Sequence, residues 1–121
     1  MDLSDIKILE TREFEVEIYN QIIEVCSVDT KYFGWKAVVE CPEDSRESIR
    51  VLLDLSKIDG KTIVHEAAHV ALYICKRTLM DFTYDNNEHY CYLLGYVWEK
   101  LVDIIDEMHQ KQEKPKNKKR K

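Results

Sequence analysis

Along residues 13–18, Glu13, Glu15 and Glu17 alternate with Phe14, Val16 and Ile18, the period-two pattern of a half-buried strand. The polar pair Asn20-Gln21 interrupts this alternation, and Ile22, Ile23 and Val25 resume an apolar run, so residues 13–27 predict a hairpin. A third strand is predicted over residues 34–40, where aromatic and β-branched residues end at Cys41-Pro42, because proline lacks the amide that a ladder needs. Residues 43–47 are polar and read as a loop. Ile49, Val51, Leu53 and Leu55 then alternate with Arg50 and Asp54 as a fourth strand, in which Leu52 breaks the pattern and implies cover on both faces. The edge of this strand is a candidate for pairing with an extended peptide.

Beyond the fourth strand the period changes. Ser56 and Asp59 offer side-chain oxygens to cap a helix, with Ile58 as a hydrophobic staple, and the helix is predicted over about residues 61–77. Ile63, Val64, Ala67, Ala68, Ala71, Leu72, Ile74 and Cys75 lie almost all round it, which describes a helix buried in the core. Any polar residue inside such a helix needs a reason. Asp85, Asn86 and Asn87 supply turn and cap chemistry before a second helix over residues 88–110, whose core stripe is Leu94, Val97, Leu101, Ile104, Ile105 and Met108. The expected fold is α+β. One domain spans residues 1–110, with a small, mostly antiparallel sheet over residues 5–56 followed by the two helices.

With 45% apolar and 34% charged residues the chain has the balance of a soluble globular protein. No apolar run approaches the roughly 18 residues of a membrane span, and the first residues are charged where a secretion signal would be apolar, so the expectation is a cytoplasmic protein without membrane association. Cys26, Cys41, Cys75 and Cys91 form no C-x-x-C pair, which argues against a thiolate zinc knuckle and a dense disulfide framework. Cys26 and Cys41 would meet only if the strands that carry them pair. The net charge of −5 is uneven: residues 111–121 hold seven basic residues and one Glu (+6), leaving 11 basic against 22 acidic residues (−11) in residues 1–110. The tail contains Pro115 and nothing apolar, so it is expected to be disordered and solvated, with nucleic acid or an anionic surface as its alternative partner.

The chemistry sits in the apolar helix. His65-Glu66-Ala67-Ala68-His69 matches His-Glu-x-x-His in the helical context that motif requires. Residues four apart share a face one turn from each other, so both imidazoles can reach one ion at roughly 2.0–2.1 Å. As merely tolerated polar residues on this helix, each unpaired side chain would cost about 1–3 kcal/mol. A hydrolytic zinc usually takes three protein donors. The third candidate is Glu88, 19 residues after His69 at the start of the second helix, where Glu88, Tyr92 and Gly95 share a face and Gly95 would permit close approach. Asp85 and His89 are alternatives to Glu88. A third-histidine scheme fits poorly, because Leu72 stands where the pattern needs glycine and Cys75 stands where it needs histidine.

HEAAH followed by Asn87-Glu88 resembles the thermolysin-like gluzincins, and HEAAHVAL with EHYCYLLG resembles the minimal gluzincin-like proteins of bacteriophages and mobile elements. That resemblance implies a zincin-like fold and a zinc ion on His65, His69 and Glu88. It also implies Glu66 as general base, a peptide or protein substrate and a bacterial host cytoplasm. The family's separate transition-state donor has no clear counterpart, which leaves Tyr84, Tyr92 and His89 as candidates for a hydrogen bond to an oxyanion. The alternative function is a catalytically inactive zinc-binding module acting in protein interaction or assembly.

Overall fold

A computed structural model describes residues 6–30, 34–79 and 87–118, with side chains as far as Gln112. Strands β1 (Ile8–Val16) and β2 (Gln21–Val28) form a hairpin where one was expected, in the register Phe14 opposite Ile23 and Thr11 opposite Cys26, although β1 begins at Ile8 rather than at residue 13. The strands are joined by a 3-10 turn at Glu17–Tyr19 and by Asn20 at φ 53°, a left-handed conformation that asparagine tolerates better than most residues. The turn starts before the polar pair, so Ile18 leaves the strand pattern and is 77% exposed.

Strands β3 (Ala37–Glu40) and β4 (Ile49–Leu53) complete a sheet of order β1-β2-β4-β3. β1–β2 and β3–β4 are antiparallel, whereas β2–β4 is parallel, so the sheet is mixed. Alternation of side chains reports faces and carries no strand direction, which is why the parallel pairing was not legible. β4 pairs on both sides, so the edge expected of it is not free; among the described residues the unpaired edges belong to β1 and β3. β4 also separates Cys26 on β2 from Cys41 after β3, and all four cysteines are free.

Helices α1 (Gly60–Arg77) and α2 (Glu88–Lys118) follow the sheet. Ile23, Val25, Ile49 and Val51 pack with Val70, Ile74, Val97 and Leu101 in one core, each fully buried side chain contributing roughly 1.5–3 kcal/mol. A smaller cluster of Ile6, Cys26, Val28 and Leu52 lies under Trp35 and Val38, which accounts for Leu52 breaking the strand pattern. α2 runs on to Lys118, past the end expected at Gln110 and into the tail expected to be disordered. It is docked along β1 by Arg12–Glu107 at 2.9 Å and Lys111–Glu10 at 3.7 Å, and His109 Nε2 donates to the Leu55 carbonyl at 3.1 Å. A helix already nucleated gains one hydrogen bond for each residue that has an amide, so sequence without apolar residues can still continue it, with Pro115 alone donating none. Lys119, Arg120 and Lys121 of the basic cluster lie outside the described residues.

The chain between β4 and α1 is tied by a buried carboxylate. Asp54 Oδ2 accepts from the amide of Thr30 at 3.1 Å and its hydroxyl at 2.7 Å, while Oδ1 accepts from the amide of Ser56 at 3.0 Å and its hydroxyl at 2.7 Å. Ser56 therefore serves Asp54 and leaves the helix cap to Asp59, whose Oδ1 accepts from the Thr62 amide at 2.8 Å. Lys57 Nζ closes the knot with a 2.7 Å bond to the Thr30 hydroxyl.

Burial alone would raise the pKa of Asp54, but the four hydrogen bonds outweigh it and hold the carboxyl at about 2. Because that value lies below the ordinary 3.8, the stabilisation is complete above pH 3.8 and is lost as pH falls from 3.8 toward 2. Asp54→Ala, which strands the buried Thr30 donors, should lower unfolding free energy by about 2–4 kcal/mol in urea titrations at neutral pH. Asp54→Asn should flatten the loss of stability between pH 3.8 and 2, and an unaltered acid profile would show that the knot does not anchor the fold.

Candidate metal centre

α1 is capped by Asp59 and carries Lys76 and Arg77 in its last turn, where cations suit the helix dipole. Its buried side holds Glu66, Ala67, Val70, Ala71, Ile74 and Cys75. The helix is not enclosed, as an apolar surface all round had predicted: Val64, His65 and Leu72 are exposed on the remaining side, and His69 and Tyr73 are half-buried. Apolar content cannot report which side a neighbour covers. At about 100° per residue, Leu72 lies about 20° from His65, so an apolar rim borders the histidines.

His65 Nε2 and His69 Nε2 are 3.2 Å apart, with ring centroids 4.8 Å apart and planes inclined by 75°. Two nitrogens each 2.0–2.1 Å from one tetrahedral ion are separated by about 3.3–3.4 Å, so the pair has the spacing of two ligands to one zinc. The same contact also serves as an N–H···N hydrogen bond when one ring nitrogen carries a proton. Ligand atoms of His65, Glu66 and His69 all lie within 4.8 Å of one another. Nitrogen and carboxylate donors of this kind fit zinc.

Tyr73 is the residue that the sequence reading missed. Its ring stacks with His69, with centroids 6.2 Å apart and planes 20° from parallel. The signal was present, because Tyr73 continues the four-residue spacing of His65 and His69.

Glu66 is only 7% exposed, yet its carboxylate receives no hydrogen bond from any described residue; its charged neighbours are the two histidines. Burial pushes its pKa up, and the histidine charges oppose the rise without cancelling it. Buried carboxylates are ordinarily paired, so one that faces only two imidazoles marks a place where a water or substrate group fits.

Glu88 is the first residue of α2 and is exposed, outside the three-residue cluster. On an ideal helix it lies about 180° round from Val97, which is fully buried, and Tyr92 and Gly95 share its exposed face. A Cβ at Gly95 would meet nothing within 4 Å, so Gly95 is not the point of close approach that its spacing suggested. α2 packs inward through Leu93, Val97 and Leu101 instead. His89 is exposed beside Glu88, whereas Tyr84 and Asp85 lie outside the described residues. Cys75 faces the core, and burial raises its thiol pKa, which removes it from the metal-facing side.

Set against family models, curated proteins and solved structures, the chain matches none.

Burial that raises the Glu66 pKa disfavours its charged form, a cost the uncharged amide does not carry. Glu66→Gln should therefore raise the midpoint of thermal unfolding of metal-free protein at neutral pH. A lowered midpoint would mean that Glu66 is held by a partner.

Proposed function

We propose that this chain is a zinc-dependent peptide hydrolase of gluzincin type, in which His65, His69 and Glu88 hold the metal and Glu66 is the general base. The observation that carries this reading is the histidine pair at ligand spacing beside a carboxylate, largely buried, to which no described residue donates. Zinc held there would supply Lewis acidity toward a peptide carbonyl and toward water. Glu66 accepts the proton of the attacking water and returns it to the leaving amine nitrogen, and a raised pKa brings it nearer the working range of such a base. Tyr73 stacks with the His69 ring and so acts as a positioning residue for that ligand. His89 and Tyr92, exposed near the start of α2, are candidate donors to the oxyanion.

The substrate reading follows from the sheet. β3 is an edge strand packed beside α1, and its outer edge can take main-chain hydrogen bonds from an extended peptide. Val64 and Leu72 border the histidines with exposed apolar surface for its side chains. The exposed position of Glu88 favours a second reading, in which the same residues bind zinc without turnover in an assembly module. Glu66 separates the two, because a purely structural ion needs no base.

Elemental analysis should find about one zinc per chain, lost in His65→Ala and His69→Ala and strongly reduced in Glu88→Ala. Full occupancy in Glu88→Ala would remove Glu88 from the ligand set. Glu66→Gln should keep the zinc while peptide hydrolysis falls by roughly a hundred-fold or more, since the amide cannot accept the proton. Turnover equal to that of the parent would rule out Glu66 as base, and a parent that binds zinc yet cleaves no peptide library would favour the assembly module.

A further inference from the structure

One turn of α1 beyond the histidines, a cavity of about 360 Å³ opens between the end of the helix and the chain that leaves β3. Its walls are Tyr73, Lys76 and Arg77 on α1, and Cys41, Pro42, Glu43 and Ser45 on the loop. Tyr73 joins it to the histidine site, because the ring that lines the cavity also stacks on His69. Cys41 and Pro42 join it to the sheet edge, since they follow Glu40, the last residue of β3. A peptide extended along β3 would leave it beside Cys41 and Pro42, at the wall of this cavity.

The Asp44 carboxylate of the loop pairs with Arg46 at 2.9 Å and also feels the charge of Arg77, whose own hydrogen bonds go to other acceptors. Arg77 Nη1 donates to Gln21 Oε1 at 3.0 Å and to the Glu47 carbonyl at 2.7 Å, and Nη2 donates to the carbonyls of Pro42 at 2.7 Å and Asp44 at 3.1 Å. All four acceptors are neutral. The guanidinium thus fixes the loop to the helix and keeps its charge, and its Nε is buried with no hydrogen-bond partner among the described residues. Lys76 is exposed at the same wall and makes no ion pair among the described residues. The single carboxylate in the lining is that of exposed Glu43, and the neighbouring Asp44 carboxylate is held by Arg46, which leaves Lys76 as the cation among the described lining residues that no ion pair occupies.

We propose that this cavity is a specificity subsite that accepts an acidic side chain of a peptide extended along β3. The assignment deepens the peptidase reading and rests on it for the position of the peptide. Tyr73 supplies an aromatic wall for the methylene groups of the incoming Glu or Asp, Lys76 pairs with its carboxylate, and Arg77 adds field without leaving the loop carbonyls. Lys76 is the residue to change: it is exposed, whereas loss of Arg77 would release the loop.

The test measures binding separately from cleavage, using the full-length Glu66→Gln protein loaded with zinc. Capped heptapeptides of alanine and leucine carry a single Glu, Gln or Lys placed at each position in turn, and affinity is read by fluorescence anisotropy. At one position the Glu peptide should bind roughly ten-fold more tightly than its Gln counterpart, as a partly desolvated charge pair provides. Lys76→Glu should abolish that preference and favour the Lys peptide at the same position. Equal affinities for Glu and Gln at every position, no binding by any peptide, or a preference unmoved by Lys76→Glu would each overturn the proposal. Cleavage by the parent protein is scored on the same peptides. Turnover without acidic preference would sink the subsite and leave the peptidase reading standing, whereas selective acidic binding without turnover would do the reverse.

Discussion

The structure depends on holding α1 at both ends so that its middle can carry a half-enclosed carboxylate to which no described residue donates. Glu66 is buried on the side of the helix that packs, where an unpaired carboxylate is costly, and no described residue donates to it. The compensation lies at the two termini. At the start, Asp54 binds Thr30 and Ser56 through four hydrogen bonds, and Asp59 caps the first turn. At the end, Arg77 gathers Gln21 and three loop carbonyls. Between these anchors Val70, Ala71 and Ile74 bury their side chains completely, so direction and rotation of the helix are fixed by groups remote from the chemistry.

Fixing the rotation fixes the site. His65 and His69 fall on the uncovered side, Glu66 turns inward beside them, and Tyr73 stacks with the second imidazole. Helical spacing alone supplies the 3.2 Å approach of the two nitrogens, with no contribution from a loop. The cavity beside Lys76 is a by-product of the same anchoring, because the guanidinium that ties the loop through carbonyl oxygens also forms its wall.

Much of this was legible in the sequence wherever the signal is local. The β1–β2 hairpin, the limits of α1, its Asp59 cap and the His-Glu-x-x-His spacing depend on residues within a few positions of one another, and these were read closely. What failed depends on neighbours that the chain meets only after folding. The parallel β2–β4 pairing placed β4 in the interior of the sheet and left β3 as an edge. Gly95 matched a close-packing position by spacing, yet it sits on the exposed face of α2, because Leu93, Val97 and Leu101 determine which side turns inward. The end of α2 was misjudged for a related reason: contacts from Glu107 and Lys111 to β1 are long-range, and composition near the C-terminus does not record them.

In the proposed site the two histidines share one ion with Glu66 beside it. The most direct measurement is anomalous diffraction at the zinc absorption edge from crystals of zinc-loaded protein. The account predicts one peak per chain about 2.0–2.1 Å from Nε2 of both His65 and His69, with the Glu88 carboxylate as third donor and Glu66 outside the ligand set. A peak held by other residues, or histidines that remain in mutual contact in zinc-soaked crystals with no anomalous density between them, would contradict it.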